Sequence, residues 1–600
     1  MIELTYPFDS EYILRKKKAI RRMLLEREGV SYVTPKIAIL GGSTTNDIKL
    51  ILELFLLDYG IKPEFYESEY NRFWEDGVFG NPELDEFRPD LVFIHTSSRN
   101  ILDFPTVRDS REDVKAKLDK EYARFEKLWE SLSSRYGAVI IQNNFEKLPY
   151  RLLGNSDISD YRGRLSFISE LNRRFCEYSE THESFHINDI DYVSSCYGIK
   201  RWASAADWYR YKYAMSVSAI PEFAFNLSHI IKAVYGRNKK AFSLDLDNTL
   251  WGGVVGDDGP ENIKVGQEDA TSEAYAGFQE YIKAHKDLGI LLNVNSKNDE
   301  ENAIAGLKRP DSVLSPDDFT IIKANWENKE KNLIETAAEI NIGTDAFVFV
   351  DDNPVERGIV RENVPGVAVP DITGVDTYID TIDGNAYFEV ISISADDLKR
   401  NEMYKANAER AKVEASFADY GEYLKSLEMT AEIKPFSDMY MARIAELTNK
   451  SNQFNLTTKR YTLAQIEELA GREDVITRYG KLIDKYGDNG VVAVSMGHVE
   501  GETLHMDLWL MSCRVLKREM ESAMMDEFAA EARRRGLKEI KGYYYPTAKN
   551  KMVKEFYGLQ GFKLESEDGE GNSVWSLKLE DRPEPLNRSI KVNPKEGELT

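Results

Sequence analysis

Two aspartates, Asp245 and Asp247, follow directly on the apolar run AFSL. A carboxylate can attack phosphorus and form an aspartyl-phosphate when a metal ion offsets the repulsion between the two anions. A second carboxylate two residues further on can protonate the leaving oxygen and then activate water. The pair therefore indicates phosphoryl transfer, with Asp245 as the nucleophile and Asp247 as its acid/base partner.

Three further motifs with suitable chemistry follow in chain order. Ser296 in NVNSKN offers a hydroxyl to a phosphoryl oxygen, and Lys329 in NWENK offers a cation to the charge on pentavalent phosphorus. Asp351 and Asp352, at the end of FVFVDD, supply hard oxygen ligands for Mg²⁺. Each motif alone is more often a surface feature. Together they predict one site, because ligands of open parallel sheets bind at the carboxyl ends of the strands.

The elements that must position these residues are strands alternating with helices, which predict an α/β multi-domain protein. We expect two α/β domains with parallel sheets and an α+β third domain that begins with a helix. The resemblance of the motifs to known families implies a flavodoxin-like first domain and a Rossmann-like phosphoryl-transfer domain with a minimal cap. The expected bounds are an entry segment at 1–35, domains at 36–235 and 236–385, a connecting helix pair at 386–428, a third domain at 429–580 and a loose tail at 581–600.

Bulk composition narrows the choice of partners. The chain has 600 residues, too many for one core, and a formal net charge of -24. That field repels phosphate backbones and anionic lipid, so neither nucleic acid nor a membrane surface is an expected partner. We find no signal-peptide pattern and no apolar run of about 20 residues. Cys176, Cys196 and Cys513 form no disulfide framework, so a cytoplasmic protein is expected.

The segments DLDNTLWGG, NSKN, NWENK and DDNPVER resemble the FkbH-like branch of the haloacid dehalogenase superfamily, and the similarity runs over about residues 36–580. The resemblance implies Mg²⁺ as cofactor, with Asp245, Asp247, Asp351 and Asp352 around the metal. It implies a small flap at Trp251-Gly252-Gly253, which leaves the site open to a bulky or protein-borne substrate. The implied substrate contacts are Thr249, Trp251, Gly252, Gly253, Asn298, Arg357, Asn452 and Gln453.

Three of these contacts have plainer alternatives. Arg357 is equally well explained as a salt bridge on a helix surface. The segment NQFNLTTKR, which contains Asn452 and Gln453, is expected either to line a cleft between the second and third domains or to cap a helix.

The third domain resembles the GCN5-related N-acetyltransferase fold. Where such enzymes carry a glycine-rich turn for the pyrophosphate of coenzyme A, this chain reads CRVLKREME. The missing glycines at 517–519 disfavour ordinary acetyl-CoA chemistry. Cys513 lies in a segment typical of FkbH-like proteins, which implies an acyl-accepting thiol beside Arg514, Lys517 and Arg518. A buried strand cysteine is the alternative.

The first domain loosely resembles SGNH-type hydrolases through GGSTTND and IQNNF. A serine esterase needs a base, but the segment from Asp207 to Arg210 lacks the expected histidine, and nothing places His95 or His186 against Ser43. We therefore expect a degenerate domain that shapes the cleft or docks a partner.

The leading hypothesis is a Mg²⁺-dependent enzyme that acts on a phosphorylated three-carbon acid resembling 1,3-bisphosphoglycerate. By resemblance to the family, the glyceryl group would pass to the thiol of an acyl carrier protein. One alternative is a plain phosphatase acting on a sugar phosphate or polysaccharide precursor. A second is a non-enzymatic scaffold that binds a carrier protein, which the set Asp245, Asp247, Lys329 and Asp351 argues against.

Overall fold

The computed structural model describes residues 2–414, 416–451, 453–547, 549–582 and 585–594. The chain divides into two compact units. The first runs to Arg237 and also takes in Arg460–Leu469; the second comprises Asn238–Lys459 and the chain from Ala470 onward. None of the described helices is long and apolar enough to cross a membrane.

The first unit contains a five-stranded parallel sheet in the order β2-β1-β3-β4-β5. This is the strand order of flavodoxin-like folds, as predicted. The fifth strand was not predicted, because its sequence FHIN has only two of its four residues buried. The strands are β1 (Lys36–Gly41), β2 (Glu64–Glu67), β3 (Leu91–His95), β4 (Val139–Asn143) and β5 (Phe185–Asn188).

Ten helices are described in this part of the chain. The longest begins with a reciprocal capping box between Ser110 and Asp113 and ends at Gly137, whose φ of 58° favours glycine. The helices are α1 (Ser10–Leu25), α2 (Asn46–Asp58), α3 (Phe73–Phe79), α4 (Pro82–Phe87), α5 (Arg111–Tyr136), α6 (Arg164–Thr181), α7 (Ile190–Tyr197), α8 (Ile199–Trp202), α9 (Ala205–Tyr211) and α10 (Ile220–Val234).

The second unit begins with a four-stranded parallel sheet in the Rossmann-like order β8-β7-β6-β9. Strand β6 and the edge strand β9 are buried and largely apolar, because helices cover the faces of such a sheet. All four carboxyl ends therefore lie at one edge. The strands are β6 (Ala241–Leu244), β7 (Leu291–Ser296), β8 (Ile321–Ala324) and β9 (Phe347–Val350).

The helices around this sheet lead into the connector. Three helices lie in the region 386–428, where a helix pair was predicted. The helices are α11 (Val255–Asp258), α12 (Ala270–Asp287), α13 (Glu300–Leu307), α14 (Lys329–Glu339), α15 (Pro354–Asn363), α16 (Tyr378–Gly384), α17 (Ala395–Leu398), α18 (Arg400–Glu414) and α19 (Tyr420–Ser426).

The last part of the chain forms an eight-stranded sheet in the order β15-β16-β14-β13-β12-β11-β10-β17. Strands β13 and β14 are parallel, whereas β10 to β13 are antiparallel in sequence. The strands are β10 (Thr430–Lys434), β11 (Val475–Asp484), β12 (Gly487–Glu500), β13 (Thr503–Met511), β14 (Glu539–Tyr544), β15 (Lys563–Glu567), β16 (Ser573–Lys578) and β17 (Lys591–Val592). The helices are α20 (Met441–Lys450), α21 (Leu463–Ala470), α22 (Met520–Arg534) and α23 (Phe556–Leu559).

Helix α22 packs closely on β11. The predicted apolar face of Met520, Met524 and Phe528 is buried. Gly480 permits the close approach, since a Cβ there would lie 2.2 Å from Met520 Cε and 2.7 Å from Met524 Sδ. The α+β class predicted for this part is therefore observed.

Two predictions about this part were wrong. It begins with strand β10 and not with a helix, because β10 alternates buried and partly exposed residues against β11. The tail is not loose over its described residues. Strand β17 pairs in parallel with β10, Ile590 is buried, and Arg582 contacts Asp526 at 2.6 Å. Residues 595–600 lie outside the described chain.

Candidate active site

The carboxyl edge of the second sheet gathers the predicted nucleophile, the lysine and the metal-binding aspartate. Asp245 follows β6, Asp351 follows β9, and Lys329 is the first residue of α14; all three are buried. Lys329 Nζ lies 2.9 Å from Asp245 Oδ2 and 2.5 Å from Asp351 Oδ2. Burial alone would lower the pKa of Lys329, but the two carboxylates outweigh burial and raise it. The ammonium therefore stays charged between them.

Three carboxylates form the one group among the described residues that could hold a metal ion: oxygens of Asp245, Asp351 and Asp352 lie within 4.8 Å of one another. Burial, followed by the charge of Asp245, raises the pKa of Asp351 to about 6. Asp247 was also predicted as a metal ligand, but its carboxylate is not in this group. Both carboxylate oxygens of Asp247 instead accept hydrogen bonds from neighbouring groups.

The carboxylate of Asp247 accepts three hydrogen bonds. Trp251 Nε1 and the backbone N–H of Val255 donate to Oδ1 at 2.9 and 3.0 Å, and Asn298 Nδ2 donates to Oδ2 at 3.0 Å. Burial raises the pKa of Asp247, while the donors from Val255 and Trp251 oppose that rise. Such a fixed, partly desolvated carboxyl group suits the acid/base role.

Trp251 therefore has a different place from the predicted one. It was expected to contact substrate, but its side chain is buried and its indole N–H is committed to Asp247. Buried tryptophans normally find such a hydrogen-bond acceptor. Asn298 shares this arrangement while remaining a predicted substrate contact.

The turn after Asp247 depends on local backbone geometry. Asn248 has φ 55° and accepts a hydrogen bond from the N–H of Gly253, which has φ 94°. Both values lie in the left-handed region that asparagine and glycine tolerate best. Gly252 pairs with Lys264 in an antiparallel bridge. Gly252 and Gly253 thus form a small flap, and their contact with substrate stays a prediction.

Thr249 and Arg357 hold the backbone of the loop that carries Asp351 and Asp352. Thr249 is buried and accepts a hydrogen bond of 3.1 Å from the backbone N–H of Asp352. Arg357 is buried and donates from Nη1 to the carbonyl oxygens of Asp351 and Asp352, both at 2.8 Å. Both side chains were predicted to touch substrate, and that contact stays a prediction beside the supporting positions seen here. The alternative for Arg357 holds in part, because its Nε lies 3.7 Å from Asp371 Oδ1, although the guanidinium is buried and not on the helix surface.

Ser296 ends β7 and is buried at the same edge of the sheet. Sequence reasoning missed Asn295, whose Nδ2 donates 2.9 Å to the carbonyl oxygen of Lys329 and so anchors the start of α14. It also missed Tyr275 and Tyr378, whose hydroxyls donate to the carbonyl oxygen of Asn248 at 3.2 and 3.0 Å. No sequence signal links the two tyrosines to the Asp245 motif.

Cys513 does not join this cluster. It is half-buried in a 3-10 turn after β13, and its carbonyl oxygen accepts 2.7 Å from Asn341 Nδ2, beyond the far end of α14. Its thiol neighbours the buried Tyr404, whose pKa is raised by burial and then by Cys513. Of the predicted cationic neighbours, Arg518 is instead ion-paired with Asp484 at 3.2 Å.

The segment that contains Gln453 lies in the third sheet. The carbonyl oxygen of Phe454 accepts from Met511 N at 2.9 Å, and Leu456 bonds both the carbonyl oxygen of Trp509 and the N–H of Tyr545. The segment thus fills the space between the diverging ends of β13 and β14. Asn455 Nδ2 lies 3.5 Å from the carbonyl oxygen of Ser451, the C-cap residue of α20, and the expectation that the segment lines a cleft stays a prediction. Asn452 lies outside the described residues.

The turn before α22 keeps a glycine-like backbone without glycines. Lys517 and Glu519 have φ 63° and 61°. The N–H of Lys517 donates to Glu521 at 3.1 Å, and Glu519 accepts the N–H groups of Arg588 and Ser589. Carboxylates therefore occupy the surroundings that a pyrophosphate would need, which agrees with the doubt about coenzyme A.

In the first unit, Ser43 is buried and its Oγ has no hydrogen-bond partner among the described residues. His95 is buried as well, and desolvation lowers its pKa to about 3. Its Nδ1 is 3.0 Å from Asn143 Nδ2. No described side chain is therefore hydrogen-bonded to Ser43 Oγ as its base. That this domain is a degenerate hydrolase stays a prediction.

Comparisons with known proteins agree with this site. Residues 36–232 match the family described as "FkbH, N-terminal domain". The N-terminal part of the protein BF1531 from Bacteroides fragilis, crystallised with Mg and described as containing a phosphatase domain, is 30% identical. The alignment covers 63% of this chain and 99% of that chain, with a TM-score of 0.57. A search of curated proteins finds no match.

Acetyltransferase structures match the C-terminal quarter more weakly. The ribosomal-protein-S18-alanine N-acetyltransferase from Escherichia coli is 10% identical over 25% of this chain and 94% of that chain, with a TM-score of 0.20. PaiA N-acetyltransferase from Thermoplasma acidophilum, in complex with coenzyme A, is 15% identical over 25% of this chain and 99% of that chain, with a TM-score of 0.19. Scores this low carry no functional argument.

The Rossmann-like sheet and the residues at its carboxyl edge define a phosphatase-type enzyme built on a haloacid-dehalogenase-like core. The chain belongs to the FkbH-like family, on the evidence of the matched N-terminal domain and the 30% identical relative.

Proposed function

We propose that this protein is a Mg²⁺-dependent phosphatase that acts on a phosphorylated three-carbon acid and passes the acyl group of that acid to a carrier-protein thiol. The observation that carries the phosphatase part is the position of Lys329 between Asp245 and Asp351 at the ends of β6 and β9. A phosphoryl group needs such a buried cation beside its nucleophile.

The residues present fit Mg²⁺. Asp245, Asp351 and Asp352 offer hard oxygen ligands within reach of one ion, and Mg²⁺ prefers such ligands. The carboxylates also outnumber the single ammonium of Lys329, so the pocket lacks positive charge for a phosphate dianion. Burial and, after it, the charge of Asp245 raise the pKa of Asp351. When bound, Mg²⁺ would supply the missing positive charge and orient a phosphoryl oxygen.

The reaction follows from the residues of the chain. Asp245 attacks phosphorus, so an O–P bond forms as the bond to the leaving oxygen breaks. Asp247, held by Trp251, Val255 and Asn298, gives a proton to that oxygen. Asp247 then takes a proton from water as the water attacks the aspartyl-phosphate. Lys329 and Ser296 offer donors to the phosphoryl oxygens.

The acyl-transfer part of the proposal rests on family resemblance and on the third sheet. A substrate such as 1,3-bisphosphoglycerate carries a phosphate ester and an acyl phosphate. Hydrolysis of the ester at Asp245 and displacement of the acyl phosphate by a thiol would together yield a glyceryl thioester. Cys513 or the thiol of a carrier protein is the proposed acceptor.

The experiment follows phosphate release from small phosphorylated metabolites, including phosphoglycerates, with Mg²⁺ or with EDTA. Wild type is compared with Asp245→Asn, which keeps the size of the side chain but cannot act as nucleophile. We expect release that needs the metal and disappears in the variant. Release that persists in Asp245→Asn would refute the phosphatase assignment. Adding a phosphopantetheinylated carrier protein then tests whether the acyl group reaches its thiol.

A plain phosphatase is the second candidate, and one observation favours it. Cys513 contacts Asn341 beyond the end of α14, whereas Lys329 begins that helix, so the thiol and the phosphoryl site do not share one pocket. This candidate predicts full turnover on a sugar phosphate without any thiol acceptor. A thioester product that depends on the acyl phosphate would exclude it.

A further inference from the structure

The third sheet carries a histidine–aspartate pair that the phosphoryl site does not use. His498 Nδ1 lies 2.6 Å from Asp507 Oδ2, between neighbouring strands β12 and β13. The side chain of His498 is 39% exposed, and no described residue bonds its Nε2. A carboxylate on Nδ1 sets the tautomer of the ring and leaves Nε2 free to accept a proton.

The position of Asp507 depends on an irregularity in the sheet. Met496 pairs with Leu508 and Gly497 pairs with Met506, so Asp507 is the extra residue of a β-bulge. Bulges re-aim a side chain and are common beside active sites. The second oxygen of Asp507 accepts 2.9 Å from Lys459 Nζ, and its carbonyl oxygen accepts 2.8 Å from Thr457 Oγ1. His498 and Lys459 thus hold the two oxygens of the carboxylate, and Thr457 holds the backbone of Asp507.

Flat rings continue from His498 across the sheet. The ring of His505 stacks on His498 at 5.1 Å and 14°, and the ring of Tyr543 lies 6.1 Å further on. Tyr543 also contacts His505 Nδ1 at 2.6 Å through its hydroxyl. These rings lie where β13 and β14 stop pairing, since their register ends at His505 and Lys541. The surface beside His498 is therefore flat, partly open and rigid.

We propose that His498 and Asp507 form a proton-transfer dyad that deprotonates the acceptor thiol in acyl transfer. The inference rests on the acyl-transfer part of the proposed function. The thiol sulfur attacks the carbonyl carbon of an acyl phosphate, and its proton passes to His498 Nε2. The S–C bond forms, the C–O bond to phosphate breaks, and inorganic phosphate leaves. Asp507 holds the imidazole and offsets the positive charge that it gains.

The dyad serves a thiol brought by the acceptor rather than Cys513. The rest of β13, from Asp507 to Met511, separates them by about 13 Å of extended strand. Besides Asp507 and Lys459, the charged or titratable groups that face His498 are His505 and Asp474. Among these four groups, Asp507 is the hydrogen-bond partner of Nδ1.

The test uses the full chain with Mg²⁺, acetyl phosphate as donor and pantetheine as acceptor, and measures the thioester by mass spectrometry. His498→Gln removes the base and Asp507→Asn removes its orienting charge. His182→Gln, at an exposed histidine of the first unit, is the control. We expect His498→Gln to lower kcat/KM for the thiol by about 100-fold, and Asp507→Asn to lower it by about 10-fold or more. His182→Gln keeps it within about threefold.

Different outcomes would overturn the role of the dyad and the acyl-transfer activity itself. Thioester formation in wild type that His498→Gln leaves unchanged would overturn the dyad alone. Absence of thioester formation in wild type, with phosphate release from phosphoglycerates intact, would overturn acyl transfer and the dyad with it. Circular dichroism and thermal unfolding of each variant separate a lost base from a lost fold. Added imidazole that restores rate to a folded His498→Ala would support the base role directly.

Discussion

The side-chain amide of Asn341 donates a hydrogen bond of 2.7 Å to the backbone carbonyl of Cys513. Asn341 lies just past α14, and Lys329 is the first residue of that helix. The 11 residues of α14 span about 16 Å, so Cys513 and the phosphoryl site lie at opposite ends of the helix. Direct handover of an acyl group from one to the other would need a carrier arm or a change of structure.

This separation predicts that Cys513→Ala leaves phosphate release unaffected. Sites this far apart without shared partners act independently, so we expect kcat within about twofold of wild type. Phosphate release from the best phosphoglycerate measures this, with Asp245→Asn as the inactive reference. A large loss of release in a folded Cys513→Ala would show that the two sites are coupled.

Removal of the Lys329 ammonium should abolish turnover. Lys329→Met keeps the length of the side chain but leaves Asp245 and Asp351 facing each other without the cation between them. We expect kcat to fall at least about 100-fold. Lys331→Met is the matched control, because Lys331 is exposed and pairs only with Glu327 among the described residues. Equal activity in both variants would refute the role of Lys329.

Trp251→Phe should alter the acid/base step. The variant keeps an aromatic ring in the core but removes the N–H that donates to Asp247 Oδ1. Loss of a hydrogen bond to a charged group corresponds to about a 10-fold fall in kcat. Because that donor favours the ionised carboxylate, its loss raises the pKa of Asp247 further. The alkaline limb of the pH–rate profile, where Asp247 loses the proton that it must donate, should move to higher pH.

The exposed Trp326 provides the control for this variant. Its Nε1 donates to Asp299 at 2.9 Å, and it makes no hydrogen bond with Asp247. Trp326→Phe should therefore keep the wild-type pH profile. A Trp251→Phe profile that superimposes on both would contradict the positioning role.

Arg357→Lys should weaken metal binding more than it weakens the fold. Lysine is shorter and lacks the planar guanidinium, whose Nη1 donates to the carbonyl oxygens of both Asp351 and Asp352. We expect the Mg²⁺ concentration for half-maximal phosphate release to rise about 10-fold. Arg361→Lys, on the exposed side of the same helix, is the control. An unchanged Mg²⁺ dependence in Arg357→Lys would contradict this role.

Glu146 should make stability depend on pH. Desolvation, although Ser98 opposes it, raises the pKa of Glu146 from 4.5 to about 7. The folded state therefore favours the protonated form. The contribution is fully present below pH 4.5 and is lost as the pH rises through 7, in total about 3 kcal/mol.

Urea unfolding of wild type and Glu146→Gln between about pH 4 and 8 measures this contribution. The free energy of unfolding of wild type should fall relative to that of the variant as the pH rises. Glu183→Gln, at an exposed position, should follow wild type. Parallel pH curves for wild type and Glu146→Gln would show that Glu146 keeps an ordinary pKa.

Much of the phosphoryl site was predictable because its parts are local. An apolar run such as AFSL predicts a buried strand, and Asp245 directly after it must lie at the carboxyl end of that strand. Parallel pairing of β6 with β7 and β9 then brings Ser296 and Asp351 to the same edge. The residue types, their order and the strand ends therefore suffice to predict Asp245, Ser296, Lys329 and Asp351 as one group.

Tertiary structure decided which side chains support that group and which stand apart. The motifs of Trp251 and Arg357 suggest substrate contacts, but both side chains are buried and hydrogen-bonded to Asp247 and to the carbonyl oxygen of Asp351, which gives them supporting positions. Tyr378 reaches Asn248 across 130 positions of sequence, and Asp507 faces His498 because of a bulge. The pattern of residues along the sequence predicts the alternation within a strand and the position of local turns. Burial, sheet register and contacts between remote segments arise only when the whole chain packs.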